Sequence, residues 1–256
     1  MIGSNRRAPW LRVSWLLLLL LVPAQARAQS REFLKGGGGF FGVGVRAIDL
    51  RDLNATLRQF GYTRFHQPLT MVGGGGYAMR NRVMLGGEFY GWTGQRRGPN
   101  DMYYSTRLDG GFGIANLGYL LTPTERVNLY PMIGLGGAGM SVQIDERSSP
   151  SFHNVMENPG RSSTLGKGAL IGAISLGTDY LLTMRRTPTH VTGLTVGMRA
   201  GYTSTLFESE WNLRGHEIAG GPEVSLNGFF MTFTVGARRQ TMPAYLASST
   251  LVARAH

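Results

Sequence analysis

Between Gly228 and Arg238 the chain reads GFFMTFTVGAR: Phe229, Met231, Phe233, Val235 and Ala237 are apolar, and Thr232, Thr234, Gly236 and Arg238 alternate with them. A period of two marks a β-strand with one apolar face and one small or polar face. Ten or eleven such residues at about 3.3 Å each, tilted by roughly 40°, rise about 25–28 Å, the height of the apolar band of a membrane. Seven further segments repeat the rule, at Gly39–Ile48, Leu69–Met79, Val83–Trp92, Tyr104–Leu121, Val127–Ile144, Ala169–Met184 and Leu194–Leu206. Eight strands are therefore predicted. In the fourth, Phe112 and Ile114 fit the apolar face, and then Leu117, Tyr119 and Leu121 do, so a bulge is expected near Ala115-Asn116. Pro131 removes a ladder donor inside the fifth and weakens that boundary.

The connections alternate in length. Those after strands two, four and six are tight (Arg80-Asn81-Arg82, Thr122–Arg126, Arg185–Thr192), whereas those after strands one, three, five and seven are long. An even number of strands with short turns at one end and long loops at the other is the pattern of a transmembrane β-barrel, with both termini on the short-turn, periplasmic side. Within the first long connection Leu50, Leu53, Leu57 and Phe60 fall at helical spacing and Gly61 fits a helix end, which predicts a short helix over the barrel mouth, or a partner-binding or plug element. The stretch Asp145–Lys167, rich in Ser, Pro, Asn and Gly, is expected to be the longest structureless loop. Once strand directions are assigned, aromatics gather at two levels. Phe40, Phe41, Tyr77, Tyr119, Tyr130 and Tyr180 lie near the periplasmic end, and Phe89, Tyr90, Trp92, Tyr103, Tyr104, Tyr202, Phe229 and Phe230 near the outer end, as two interfacial girdles would.

The N-terminus changes the picture of charge. Arg6, Arg7 and Arg12 precede the apolar run Val13–Val22, and Ala24-Gln25-Ala26 or Ala26-Arg27-Ala28 offers a small-x-small cleavage site, so residues 1–28 read as a signal peptide. Its apolar core is too short to span a membrane. The net charge of +11 includes four arginines of this leader, and the remaining 22 basic against 15 acidic residues leave +7. Nucleic acid is a poor fit, since no basic cluster with interleaved aromatics occurs on a helix or loop; anionic lipid headgroups fit better. With no cysteine, disulfides, thiolate metal sites and cysteine nucleophiles are excluded. Of the 38 glycines, many sit inside strand patterns, among them Gly42, Gly44, Gly73 to Gly76, Gly134, Gly136 and Gly137, where small inward positions let large side chains fit across a narrow lumen.

Taken together, the leader, the strand pattern and the final strand resemble the small outer-membrane barrel family of the OmpA and OmpX type, over most of residues 37–239. The stretch DLNATLRQFGY also resembles a leucine-rich, glycine-ended insert of some bacterial outer-membrane barrels. The resemblance is architectural. It implies an all-β, eight-stranded antiparallel up-and-down barrel in a Gram-negative outer membrane, with outer-membrane lipid, lipopolysaccharide and, during biogenesis, the barrel assembly machinery as the expected partners and the chain a monomer. Such chains often end on an aromatic residue that closes the last strand. Here the chain runs on from Arg239 to His256, so either the assembly signal is internal, in GFFMTFTVGAR, or residues 240–256 form a periplasmic tail with its own role.

The strand patterns place Arg46, Glu88, Asp109, Asp179, Arg199 and Arg238 on the inward face. Charges in a narrow lumen are expected to pair: Arg199 and Arg46 with Glu88 and Asp109 in the upper lumen, and Arg238 with Asp179 near the periplasmic end. Such a plug closes the barrel; the alternative is an ion path. A catalytic role is not expected. The histidines, His66, His153, His190, His216 and His256, fall in loops or the tail without a base-and-nucleophile pair on one strand face, and no two are spaced to hold a metal. GGGGF (Gly36–Phe40) and GGGGY (Gly73–Tyr77) lack the lysine-serine ending of a phosphate loop and continue into strands. No cofactor is implied. Arg96 and Arg97 in the second long loop are candidates for lipopolysaccharide phosphates. The expected role is structural or surface-interacting through long loops. A narrow pore or small-molecule carrier is the alternative, and a soluble lipocalin-like barrel a more distant one.

Overall fold

The structure, a computed structural model, describes residues 35–96, 104–122, 126–146, 151–157, 162–187, 189–213 and 215–241. Its strands are β1 (Lys35–Ile48), β2 (Leu69–Arg80), β3 (Val83–Arg96), β4 (Tyr104–Tyr119), β5 (Val127–Glu146), β6 (Ser162–Arg186), β7 (His190–Glu208), the short pair β8 (Trp211–Leu213) and β9 (His216–Ile218), and β10 (Gly228–Thr241). The helices are α1 (Arg51–Gln59) and α2 (Phe152–Glu157). Eight long strands pair antiparallel in the order β1 to β7 and then β10, and β10 pairs back to β1, which closes the ring. Closure removes every open edge of the main sheet. The pair β8–β9 hangs on β6 through Leu165↔Leu213.

Register fixes the tilt. From Gly42, the paired residues Gly73, Tyr90 and Phe112 lead to Ala138 on β5. Going the other way round, Thr234, Gly197 and Asp179 lead to Asn128. The two routes meet ten residues apart on β5, and that stagger tilts eight strands by about 40° to the axis. The short connections and both ends of the ring lie at one end; the long connections lie at the other.

Outward residues form a continuous apolar belt. Phe229 is 70% exposed, Leu135 63% and Val235 57%, and Val43, Leu85, Phe89, Ile133, Ile174 and Val196 continue the band around the ring. Arg80 and Arg239 bound it at the short-turn end; Asp49, Asp109 and Ser141 bound it at the loop end. The belt spans about eleven tilted residues per strand, roughly 27 Å high, the apolar height of an outer-membrane barrel. Side chains so greasy and so exposed are costly in water and cost nothing in lipid.

Several sequence expectations need correction. β4 pairs without interruption to both neighbours, so no bulge occurs near Ala115-Asn116. Phe112 and Ile114 are buried in the lumen while Leu117 and Tyr119 face out, in one unbroken alternation. Register shifts fall instead between β6 and β7, at Leu170/Ile171 and Thr183/Arg185. β1 starts at Lys35, and β5 and β6 stay paired from Val127↔Tyr180 to Asp145↔Ser162, consuming much of the expected loop at Asp145–Lys167. Pro131 falls where the ladder to β4 ends, at Gly118↔Met132. The girdles are thinner than expected. Phe40, Tyr77 and Tyr130 near one end, and Tyr90, Trp92 and Phe230 near the other, lie on the inward face of their strands. Tyr103 lies outside the described residues.

Large inward rings need small residues opposite. A Cβ added at Gly177 would stand 2.3 Å from the Tyr130 ring, and one at Gly110 would stand 2.5 Å from the Trp92 ring. Gly177→Val is therefore expected to overpack the lumen by about 1–3 kcal/mol. The wild-type barrel should run faster unboiled than boiled on a detergent gel, and the variant should lose that fast band at a temperature several degrees lower.

Candidate functional site

The interior is filled at three levels. At the short-turn end Met79, Met84, Leu120, Tyr130 and Met132 form a compact apolar cluster. Midway, charged groups from facing walls meet. Arg199 on β7 and Glu88 on β3, four strands apart in either direction round the ring, join at 2.6 Å with side chains 5% and 2% exposed. Asn116 Nδ2 donates to the other Glu88 oxygen at 2.8 Å. Arg199 Nη2 donates to the Tyr130 hydroxyl at 3.3 Å, and that hydroxyl donates to Asp179 at 2.8 Å. The Phe40 ring lies 4.6 Å from the Arg199 guanidinium carbon, as a cation–π partner. Six of the eight strands contribute to this one cluster. Its room comes from glycine: a Cβ at Gly197 would meet Asp179 Oδ1 at 2.2 Å, and one at Gly134 would meet Asn116 Oδ1 at 2.3 Å.

Above it, the lumen becomes an apolar core of Met71, Trp92, Leu108, Phe112, Ile171 and Phe230, continuous with residues that cap the mouth. Arg46 is set in this core and is fully buried. Its guanidinium carbon lies 4.7 Å from the Phe112 ring centre and 5.1 Å from that of Trp92, and Nη2 donates to Leu226 O at 2.7 Å and Thr203 Oγ1 at 2.9 Å. It has no carboxylate partner among the described residues. The expected partner, Asp109, is not in the lumen. It sits on the outward face of β4 and pairs with Arg107 at 2.7 Å. Inward Phe112 and Ile114 set the parity of β4, which leaves position 109 outside. Arg238 is buried in the lower lumen without an ion pair to Asp179, whose carboxylate instead accepts from Tyr130. Of the six residues expected to pair inside, five are inward, and Glu88 and Arg199 form the direct bridge.

The mouth is capped from two sides. α1 turns Leu53 and Leu57 inward, and Asn54 fixes the returning chain by donating to Phe65 O at 3.0 Å and accepting from Phe65 N at 2.8 Å. Hydrogen bonds from the Arg51 guanidinium and backbone N–H to Asp49, at the entry to α1, hold that carboxyl down at about 2. Opposite, residues 222–227 pass over the lumen with Val224 and Leu226 buried. Two cations hold this strap by its carbonyls: Arg46 at Leu226, and Lys167 at Val224, 3.2 Å away, with Lys167 also paired to Glu208 at 2.8 Å. The strand pattern alone did not mark Lys167 or the strap as part of the interior.

The remaining candidates lie apart from the lumen cluster. Arg96 ends β3 opposite Thr106; Arg97 lies outside the described residues, as does His256. His190 stands at a short turn with Nδ1 2.8 Å from Thr189 Oγ1, and His153 pairs with Glu157 at 3.0 Å on the exposed α2. Among the described residues no three metal-ligating side chains come together.

Because Glu88 is buried with Arg199, Glu88→Ala should destabilise the barrel by about 3–5 kcal/mol by stranding a charge, whereas the double change Glu88→Leu/Arg199→Met should recover most of that loss. Urea titration of vesicle-reconstituted barrel, followed by the gel shift, measures both.

No family model matches the chain, and no curated protein matches it. Solved structures with a similar trace include Ail, the attachment invasion locus protein of Yersinia pestis (13% identity, 82% of this chain and 99% of that one, TM-score 0.38). Others are the neisserial surface protein A, NspA (13%, 80% and 95%, 0.35), and the outer-membrane protease OmpT of Escherichia coli (11%, 85% and 99%, 0.32). Each of these likenesses is one of trace alone.

Proposed function

We propose that this chain is a closed outer-membrane barrel that works through its loop end rather than through its lumen. The observation that carries the reading is the pairing of an apolar belt outside with an interior filled at three levels, the middle one tied across the full diameter by Arg199 and Glu88. A belt of this height suits a bilayer. The orientation follows the usual rule: short turns and both ends of the ring face the periplasm, and α1, the strap and the long loops face outward. The leader at residues 1–28 directs export, and the barrel assembly machinery inserts the ring. Outer-membrane lipid surrounds it, and Arg96 at the end of β3, with Arg97 beyond it, engages lipopolysaccharide phosphates. The role is structural and interactive, not catalytic.

Planar-bilayer recording tests the closed lumen. The reading expects no steady conductance from the wild type. Current spikes at most are expected from Glu88→Ala, where the diametric tie is lost but the apolar levels above and below remain. Steady wild-type conductance that Glu88→Ala or Arg199→Ala alters would overturn the closed barrel in favour of a narrow pore.

A further inference from the structure

The wall formed by β4, β5 and β6 continues well beyond the belt. Over this extension the outward positions are polar (Ser141, Gln143, Asp145), yet the inward ones stay apolar (Val142, Ile144, Leu165). Facing them across the mouth are Leu53 and Leu57 of α1 and Trp211 of β8. They enclose a cavity of about 250 Å³, with exposed Phe60, Ala219 and Gly220 among the residues at its edge. The roof is shaped by glycine: Gly220 has φ +77, and a Cβ at Gly221 would stand 2.3 Å from the Trp211 ring. The loop therefore passes directly over the indole.

We infer that this cavity binds the hydrocarbon chain of a small amphiphile or apolar molecule that arrives from the solvent side. Three observations fix that class. The lining is mostly hydrocarbon, and two of its polar side-chain atoms are already engaged, Trp211 Nε1 with Pro222 O at 2.8 Å and Thr56 Oγ1 with Asp52 O at 3.0 Å. A ligand buried here meets hydrocarbon on nearly every side, with the Tyr62 hydroxyl among the lining groups, and must be apolar where it enters. The volume is below the ~300–1,000 Å³ of drug-sized sites, so a single chain or ring fills it. Its β5 wall carries polar outer faces from the belt's edge at Ser141 to about 10 Å above it at Asp145, so the ligand enters above the hydrocarbon layer. Beneath it Leu108, Met71 and Trp92 fill the lumen, so the ligand is held at the mouth rather than passed through. The inference is independent of whether the lumen conducts.

The chain carries its own reporter. Two of its four tryptophans, Trp10 and Trp15, lie in the leader, which leaves Trp92 and Trp211 in the chain from residue 29 onward. With Trp92→Phe, Trp211 alone fluoresces. Refolded in saturated phosphatidylcholine nanodiscs, this barrel should be quenched saturably by 8-bromooctanoate, with half-saturation at a concentration at least tenfold below that at which bromoacetate quenches equally. Ala219→Phe, which fills the cavity from an exposed loop, and Leu165→Phe, which fills it from the wall, should each raise half-saturation tenfold or more while keeping the gel shift. Linear quenching equal to that by bromoacetate, or saturation unchanged in both filled variants that still show the gel shift, would overturn the site. Quenching by nanodisc lipids brominated near their tail ends, before any probe is added, would overturn the solvent-side source.

Discussion

The Arg199–Glu88 bond governs what this barrel's interior can be. Two charges buried in a space one side chain wide must find each other or not ionise, because an unpaired charge there costs several kcal/mol. They stand on opposite walls, so satisfying the electrostatics also fixes the diameter. Asn116 donates to the second Glu88 oxygen and Tyr130 accepts from Arg199 Nη2, Arg199 Nε being left without a partner among the described residues, and Tyr130 hands the chain on to Asp179. Glycines at 134, 177 and 197 exist where the cluster's side chains need the space. Sequence, sheet geometry and charge are thus a single solution: narrow the barrel and the rings clash, widen it and the bridge opens.

The same constraint explains the asymmetry along the axis. Below and at the polar level, inside and outside differ sharply, as a lipid-facing barrel requires. Toward the loop end the inside becomes as apolar as the outside, and a cation, Arg46, is tolerated there because ring faces and a backbone carbonyl substitute for a carboxylate. That carbonyl belongs to the strap, so Arg46 both fills the core and ties down its cover. Lys167 repeats the arrangement nearer the solvent. Beyond the belt the wall keeps its apolar inner face although no lipid is near, and the cavity beside Trp211 results.

Much of this was legible in the sequence, and what was not has a physical cause. The alternation at Phe229–Ala237 identified a strand and its faces because its inward partners are Thr, Gly and Arg. In β4 the inward residues Phe112 and Ile114 are as apolar as the outward Leu117 and Tyr119, so hydrophobicity cannot set parity, and Asp109 was assigned to the wrong face with them. Tyr77, Tyr90 and Tyr130 misled for a related reason: a ring that fills a lumen and a ring at a lipid interface occupy the same levels. Glu88 and Arg199 were placed inward by alternation alone. Residues 222–227 alternate as well, with Val224 and Leu226 buried, but the stretch is short and side-chain bonds to its carbonyls, not a ladder, hold it in place, so it read as part of a loop.

The absence of cysteine makes the most direct test simple, since each introduced thiol is unique. Single changes Gln143→Cys above the belt, Leu135→Cys within it and Arg239→Cys below it can be exposed on intact cells to a membrane-impermeant maleimide. A barrel spanning the outer membrane with its long connections outside predicts labelling of Gln143→Cys at once, of Arg239→Cys only after the outer membrane is permeabilised, and of Leu135→Cys in neither case. Labelling of Leu135→Cys as fast as Gln143→Cys would mean that the apolar belt meets water, and would contradict the membrane-spanning account.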